Sequence, residues 1–337
     1  MTTNIMITKV SNSQRSFSPE VTYKKIVPLI NKMGITRIAN ITGLDNIGIH
    51  VVTVCRPNSK AISVAQGKGK DLISAKVSGI MEAIETYHAE NIELPLRLSS
   101  YYELKKKDIV SNVEMLSKLS VSKFDIHKPI LWVKGEDLID SKQKYLPYEI
   151  IHTDYTQNQI PGSGSFSMSS NGLASGNHLY EAINHGLSEL IERDAISLWV
   201  IERECSTVNR DIRRLSLNSI TDSGCIELIS KFSLAGVLVG VWNITSDIGL
   251  PTFFCMIMNN EKDVIRPLYP ACGSGAHPSK SVALSRALTE AAQARLTLIS
   301  GSRDDVGVAE YEDRQSNSLR NSIRKELELG ETLCQFS

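Results

Sequence analysis

The chain has 337 residues and balances 37 Lys and Arg residues against 37 Asp and Glu residues. It therefore lacks the overall positive charge of most nucleic-acid-binding domains, and no nucleic-acid partner is expected. Its apolar runs are shorter than the roughly 20 residues that cross a bilayer, and its first residues do not form the apolar core of a secretion signal. We expect a cytoplasmic protein without a membrane partner.

The six cysteines include no C-x-x-C pair, which argues against a zinc ribbon or a disulfide framework. The seven histidines include no H-E-x-x-H helix, so a transition metal held by histidines is not expected.

The elements in the first half of the chain can be predicted from local signals. A proline in the first helical position and Gly34 at the end predict a helix over 19–33. Asp71 opens a second helix that should run to about Glu90. Three β-type runs lie between these helices: "ITRIANIT", "GIHVVTVC" and "AISVAQG".

Residues 91–160 are mixed and loop-rich, with one predicted strand in "PILWVKGEDL". The Gly/Ser-rich stretch "PGSGSFSMSSNGLASGN" then leads into a helix from near Tyr180, whose first backbone amides favour anions. Two further strands, "GVLVGVWNIT" and "PTFFCMIMN", precede a helix from about Ser281 to Leu298. This alternation of helices and strands indicates an α/β or α+β fold.

Three of the predicted helices repeat one spacing of polar residues. Positions i, i+4 and i+7 share a face of a helix, because each residue turns the chain by about 100°. The three sets are Ser78, Glu82 and Glu85; His185, Glu189 and Glu192; and Arg286, Glu290 and Gln293. For a single helix, a solvated edge with Lys or Arg partners explains such a set. Three sets together favour a shared site instead.

If the three helices converge, their five glutamates repel one another unless divalent cations lie between them. Oxygen ligands suit Mg²⁺, which in enzymes usually binds together with nucleotide phosphates. The sequence lacks the phosphate-binding motif G-x-x-x-x-G-K-[ST], because Val64 replaces its first glycine and Asp71 its hydroxyl residue. A nucleotide would have to be held by another arrangement.

Three segments, in collinear order, closely resemble the signature segments of YcaO-domain proteins, and the resemblance extends from about Arg15 to Asp305. They are "RPNSKAISVAQGKGKDLISAKVSGIMEAIETYHAE", "SSNGLASGNHLYEAINHGLSELIERDAISLW" and "SRALTEAAQARLTLISGSRDD". The resemblance implies an α/β (α+β) ATP-binding fold without a P-loop, with mixed sheets and carboxylate-bearing helices. It also implies one domain over 1–337, which would lack the family's usual C-terminal segment and proline-rich tail.

The resemblance also implies roles for individual residues. The Mg²⁺ ligands would be Glu82, Glu85, Glu189, Glu192 and Glu290. The ATP-binding residues would be Arg15, Thr22, Arg56, Lys68, Ser78, His185, Arg193, Arg286 and Gln293. For Arg56, an ion pair with one of the glutamates is an equally good interpretation. Arg303 and Asp304 could form no more than an ion pair at a helix end.

The activity implied by the resemblance is ATP-dependent activation of a peptide backbone amide, whose oxygen is phosphorylated and then leaves as phosphate. Sulfide as the nucleophile gives a thioamide, whereas a Cys, Ser or Thr side chain of the substrate gives an azoline. The segments "LWVKGEDL" and "YHAEN" are most similar to YcaO proteins that work beside TfuA, which favours a thioamide. The resemblance also implies that azoline-forming members end in a proline-rich tail. No proline follows Pro278 in this sequence, which argues against azoline formation.

Two alternatives stay open: an azoline-forming cyclodehydratase, and a degenerate docking scaffold without turnover. No nucleophile of the enzyme is predicted. The expected partners are a peptide or protein substrate, a TfuA-like or other protein that delivers sulfur or substrate, and a second copy in a homodimer.

Overall fold

The structure is a computed structural model that describes residues 15–156, 161–205, 212–260, 268–307, 317–329 and 334–336. Its chain divides into two compact units. The first unit comprises 1–57, 62–83 and 174–337, and the second comprises 58–61 and 84–173. The expectation of one domain stays a prediction, because a division by contacts does not show whether each unit folds alone.

The predicted α/β (α+β) mixture of helices and strands is confirmed, and the three named sheets of the described residues are antiparallel. The helices of the described part of the chain are α1 (Pro19–Ile26), α2 (Leu72–Glu90), α3 (Tyr101–Lys105), α4 (Leu179–Cys205), α5 (Ser223–Leu234), α6 (Lys280–Ser300) and α7 (Asn317–Leu329). The strands are β1 (Arg37–Asn40), β2 (His50–Cys55), β3 (Val64–Gly69), β4 (Leu96–Ser99), β5 (Ile130–Glu136), β6 (Gln143–Pro147), β7 (Val237–Asn243), β8 (Thr252–Asn259) and β9 (Ala271–Ala276). None of these helices is long and apolar enough to cross a bilayer.

The first unit contains the same motif twice. Strands β1, β2 and β3 form an antiparallel meander, and the chain then enters α2. Strands β7, β8 and β9 form a second antiparallel meander, after which the chain enters α6. The third strand of each meander therefore leads directly into a helix that carries one of the polar sets.

Glycines let each helix approach the strand that precedes it. A Cβ atom on Gly67 of β3 would collide with the backbone of Ala75 and Gly79 in α2. A Cβ atom on Gly275 of β9 would collide in the same way with the backbone of Ala283 and Ala287 in α6. Both contacts need a residue without a side chain, and they fix the helix against the strand.

The core of the first unit gathers around α6. Buried Ala283, Leu284, Ala287 and Leu288 of this helix pack in one cluster with apolar residues of α5, β7 and β8. Farther along, the guanidinium of Arg295 donates to both carboxylate oxygens of Asp45 and to the Asn259 side chain. The Arg295 and Asp45 side chains are only 4% and 5% exposed. The functional face of α6 is therefore held on a rigid, buried helix.

The second unit contains the antiparallel sheet β4-β5-β6. Its core includes Leu104, Trp132, Tyr145 and Phe166. Buried Glu149 accepts hydrogen bonds from the backbone N–H groups of Gly164, Ser165 and Phe166, which orders that loop.

Two sequence expectations need correction. The sequence predicts the first helix over 19–33, but its α-helical part ends at Ile26 and a 3₁₀ turn follows over Val27–Leu29. Pro28 causes this change, because it has no N–H to continue the helical hydrogen bonds. Strand β9, "ACGSGA", is not among the predicted strands, since it contains none of the β-branched or aromatic residues typical of strands. This strand proves central to the site.

Candidate functional site

Strands β3 and β9 each donate a backbone hydrogen bond to one glutamate, and the two bonds are equivalent in the two copies of the motif. The carboxylate of Glu82 on α2 accepts from the backbone N–H of Gln66 at 3.4 Å. The carboxylate of Glu290 on α6 accepts from the backbone N–H of Ser274, also at 3.4 Å. In both cases the donor precedes the glutamate by 16 residues. The two copies of the motif thus place their glutamates in equivalent positions.

Glu192 of α4 joins the second of these positions. Its carboxylate accepts from the Ser274 hydroxyl and, at 2.8 Å, from the backbone N–H of Ala276. The Ser274 hydroxyl also lies 3.4 Å from the carboxylate of Glu290. Carboxylates from two different helices therefore meet at one residue of β9.

Two contacts connect β3 with α6. Lys68 forms an ion pair with Glu290. The side-chain amide of Gln293 donates to the carbonyl of Gln66 at 3.4 Å. Since Gln66 also donates to Glu82, residues from the polar sets of α2, α4 and α6 lie together. The structure thus brings these three helices to one place, whereas the ligands that they bind stay a prediction.

The carboxylates influence one another's protonation. Glu82 is exposed, yet the surrounding protein displaces enough water from its carboxylate to raise its pKa to about 7. The charge of Lys68 opposes this rise, and the charge of Glu290 adds to it. Burial also raises the pKa of Glu192, and the charge of Glu290 again contributes. The site therefore holds carboxylates that are partly shielded from water and lie near one another.

Arg286 is the central cation on the α6 side. Its guanidinium donates to the carbonyl of Ala276 at 3.1 Å. Burial and the charge of Arg15 lower the pKa of Arg286, whereas Glu192 and Glu290 raise it. Arg286 thus lies close enough to these carboxylates to interact with them.

Two histidines of this region are kept neutral. Burial, followed by the charges of Arg286 and Arg15, lowers the pKa of His185 to about 3. The same causes lower the pKa of His277 to about 4. Sequence reasoning proposes His185 but misses His277, because a single histidine in a loop gives no local signal of its neighbours.

The predicted N-terminal residues contact the start of α4. Arg15 forms an ion pair with Glu181 at 2.9 Å. The backbone N–H and the hydroxyl of Ser16 both donate to the same carboxylate. Thr22 is buried, and its hydroxyl donates to the Asn177 side chain at 3.1 Å. Glu181, which sequence reasoning does not single out, anchors this segment beside the site.

Other predicted residues have different surroundings. Arg193 pairs with Glu189 one helical turn away at 2.7 Å. Arg56 is buried, and its Nε–H donates to the carbonyl of Met33 at 3.1 Å. Ser78 is half-buried on α2. Glu85 follows on the same helix but belongs to the second unit, so its place in the site stays a prediction.

The expected ion pair between Arg303 and Asp304 is wrong, because Arg303 pairs with Asp305 instead. The Nε–H of Arg303 donates to Asp305 at 2.7 Å, and a second contact joins the same two side chains. Asp304 instead accepts from the backbone N–H of Ser63 at 3.2 Å.

The described residues fit Mg²⁺ bound together with phosphates. They contain no group of three or more His, Cys, Asp or Glu side chains arranged to hold a metal by themselves. Mg²⁺ does not need one, since it usually takes one or two carboxylates, water and phosphate oxygens. Moreover, His185 Nδ1 and Gln66 Nε2 are buried without a hydrogen-bond partner among the described residues, as expected where a ligand supplies the partners.

Comparisons with known proteins identify the family of the chain. The family model "YcaO cyclodehydratase, ATP- and Mg²⁺-binding" matches residues 66–331. An uncharacterized protein in the tfuA 3' region of Rhizobium leguminosarum bv. trifolii is 34% identical over 302 residues. That match covers 88% of this chain and 70% of the relative.

Two solved structures share the fold. A heterocyclase in complex with substrate and cofactor has a TM-score of 0.75 at 24% identity; the match covers 96% of this chain and 45% of that chain. The YcaO protein of Methanopyrus kandleri, bound with AMPPCP and Mg²⁺, has a TM-score of 0.68 at 21% identity, covering 98% and 79%. The chain spans less than half of the heterocyclase. The resemblance of the three signature segments is confirmed, and the chain belongs to the YcaO family of ATP- and Mg²⁺-binding domains.

Proposed function

We propose that this protein uses ATP and Mg²⁺ to activate a backbone amide of a peptide or protein substrate for chemical modification. One observation carries the proposal: carboxylates from three helices lie at strands β3 and β9, beside two cations. The carboxylates are those of Glu82, Glu192 and Glu290, and the cations are Lys68 and Arg286. An oxygen donor set with adjacent fixed cations suits a triphosphate bound together with Mg²⁺.

Glu82, Glu192 and Glu290 would hold Mg²⁺, because their carboxylates converge at β3 and β9 and are partly shielded from water. Glu85 and Glu189 are proposed as further ligands by resemblance to the family. Lys68 and Arg286 would contact the phosphates. When bound, Mg²⁺ neutralises negative charge on the phosphate oxygens.

Phosphate-binding residues for ATP are also proposed on the α4 side, where Arg15 lies beside Glu181 and its charge acts on His185. Thr22, Ser78, Arg193 and Gln293 complete the proposed set by resemblance to the family. Arg56 is the weakest member, since its buried guanidinium already donates to the carbonyl of Met33.

The proposed reaction begins when a nucleophile adds to the backbone carbonyl carbon and produces a tetrahedral oxyanion. The oxyanion attacks the terminal phosphorus of ATP, and ADP leaves. The C–O bond then breaks, the oxygen departs with phosphate, and the protons of the nucleophile pass to water. Phosphorylation helps because amide oxygen is a poor leaving group. The contribution of the protein is to orient the phosphates and to stabilise their charge through Lys68 and Arg286.

A thioamide is the proposed product, with sulfide as the nucleophile and a TfuA-like partner as the source of sulfur. The relative encoded beside tfuA supports this choice. Azoline formation is the second candidate, supported by the fold shared with the heterocyclase. In that reaction the nucleophile is a Cys, Ser or Thr side chain of the substrate, and a C=N bond forms as the oxygen leaves with phosphate, so the nucleophile and the amide nitrogen each release one proton to water.

A direct test first measures ATP binding with Mg²⁺ by calorimetry. The comparison uses the native chain, a Glu189→Gln, Glu192→Gln double variant, and the surface variant Glu227→Gln as a control, since Glu227 is exposed on α5. We expect binding by the native chain and the control and at least tenfold weaker binding by the double variant. Equal binding by all three would contradict the proposed site.

Product formation is tested with candidate substrate peptides, ATP, Mg²⁺ and sulfide, with and without a TfuA-like protein. Mass spectrometry separates the two products, because a thioamide exchanges oxygen for sulfur whereas an azoline loses one water. ATP binding without either product under any of these conditions would favour a docking scaffold over an enzyme.

A further inference from the structure

His277 follows Ala276, whose backbone N–H and carbonyl connect β9 with α4 and α6. The N–H of Ala276 donates to Glu192 of α4, and the carbonyl of Ala276 accepts from Arg286 of α6. The backbone N–H of His277 itself donates to the carbonyl of Pro251 at 3.1 Å. His277 is therefore fixed in place next to the carboxylates and the central guanidinium.

A second hydrogen bond sets the tautomer of the imidazole. The backbone N–H of Ser279 donates to Nδ1 of His277 at 3.0 Å. Nδ1 must therefore be an acceptor, and in the neutral ring the hydrogen lies on Nε2. The imidazole thus offers one N–H donor at its far end.

The two copies of the structural motif differ at this point. His277 lies two residues after Gly275, and the equivalent position after Gly67 is Gly69, which has no side chain. Arg286 precedes Glu290 by four residues, whereas Ser78 precedes Glu82 by the same distance. The second copy therefore adds an imidazole and a guanidinium where the first has a glycine and a hydroxyl.

The surroundings of His277 favour a neutral donor for an anion. Its burial and the charges of Arg286 and Arg15 lower the pKa of His277 to about 4, so the ring is uncharged at neutral pH. A neutral N–H beside two guanidinium groups can bind an oxyanion without adding a third repelling charge. Neutral histidines at the start of a helix are known to act as such donors in enzymes.

We propose that His277 is a binding residue for the terminal phosphates of the nucleotide, with its Nε2–H donating to an oxygen of the β- or γ-phosphate that Arg286 and Arg15 also bind. This inference rests on the proposed function, because it takes the anion to be the triphosphate of ATP. The contrasting role is purely structural, with the imidazole only ordering the turn before α6.

Two substitutions of His277 separate these roles. His277→Asn keeps an oxygen near the position of Nδ1 for the Ser279 N–H but removes the distant donor. His277→Gln restores an N–H donor near the position of Nε2. His178→Asn is a matched control. His178 is exposed just before α4, and its Nδ1 accepts from the backbone N–H two residues later, that of Tyr180, as Nδ1 of His277 does from Ser279.

The experiment measures binding of ATP, ADP, AMP and inorganic phosphate by calorimetry with Mg²⁺, together with the Tm of each variant. We expect His277→Asn to weaken ATP binding about tenfold, since hydrogen bonds to charged groups are strong, and to leave AMP binding unchanged. His277→Gln should recover most of the loss. His178→Asn should bind all ligands like the native chain.

Native-like ATP binding by His277→Asn would overturn the inference while leaving the proposed function intact. Equal losses for AMP and ATP with a lowered Tm would overturn it too, because they indicate a structural role. A native chain that does not bind ATP would overturn this inference and the proposed function together.

Discussion

Individual glutamates in the site lower the stability of the ligand-free protein. Glu82 and Glu192 have raised pKa values because they are partly desolvated and lie near Glu290. Such crowding costs stability in a protein without its ligands, and it is common at functional sites. The same carboxylates that lower stability are therefore the ones expected to bind Mg²⁺.

Glu82→Gln should stabilise the ligand-free protein at about pH 8. The pKa of Glu82 is about 7 in the folded state, above the ordinary value of 4.5. The protein therefore loses stability as the pH rises from about 4.5 to about 7, and above pH 7 the full loss is present. Removal of the charge should raise Tm by about 2 °C at most, because solvent reaches this side chain. Scanning calorimetry without Mg²⁺ tests the change.

The gain from Glu82→Gln should be small at about pH 5, where the carboxyl is largely protonated, and ATP binding should be lost at every pH. Glu227→Gln is the control and should show neither effect. A decrease in Tm at about pH 8 would contradict the unfavourable desolvation of the Glu82 carboxylate that its raised pKa indicates.

Cys225 provides a residue-scale prediction away from the site. Burial raises the pKa of its thiol to about 12, with the charge of Asp222 adding to the rise. Because the thiolate is the reactive form, native Cys225 should resist iodoacetamide at about pH 8, whereas exposed Cys205 should react. Peptide mapping by mass spectrometry measures both, and denatured protein, in which both should react, is the control. Rapid labelling of native Cys225 would contradict its burial.

At the scale of elements, the site depends on how closely two helices approach two strands. Gly67 and Gly275 bring α2 and α6 into backbone contact with β3 and β9. Those contacts keep Glu82 and Glu290 within hydrogen-bond distance of Gln66 and Ser274. A small shift of either helix would separate the carboxylates.

Gly275→Ala should therefore reduce both stability and ATP binding. The added methyl group has no space against the backbone of α6, and overpacking of this kind typically costs about 1–3 kcal/mol. The free energy of unfolding in urea and the Kd for ATP measure the two effects. Gly43→Ala is the matched control, since a Cβ atom there meets nothing within 4 Å and φ is not positive. A change in Gly43→Ala as large as that in Gly275→Ala would argue against the close contact as the cause.

At the scale of the whole molecule, the described site residues other than Glu85 lie in the first of the two units. A ligand that binds only the folded state stabilises it by about 2.7 kcal/mol at a hundredfold excess over Kd. ATP with Mg²⁺ should therefore raise the Tm of the first unit by several degrees, and ATP with a chelator should do so much less. If calorimetry resolves two transitions, we expect only one to move. Equal shifts of both transitions would show that the ligand is not bound by the first unit alone.

Other properties of the whole molecule stay predictions. They are the cytoplasmic location, the homodimer, the TfuA-like partner and the extent of a single domain.

Local spacing alone is enough to select most of the helix residues proposed for the site. Residues at i, i+4 and i+7 must share a helical face, so the sets on α2, α4 and α6 can be recognised in the amino-acid sequence by itself. The family followed from the same segments and their order. These inferences succeed because helix geometry depends on near neighbours in the sequence.

Only the tertiary structure decided which charges neighbour one another. Lys68 and Glu290 are separated by 222 residues, and Arg15 and Glu181 by 166. The neutral state of His277 likewise depends first on its burial and then on the charges of Arg286 and Arg15, and all three arise only when the chain packs. Electrostatic interactions depend on distance and on exclusion of water, and both are set by packing rather than by local sequence.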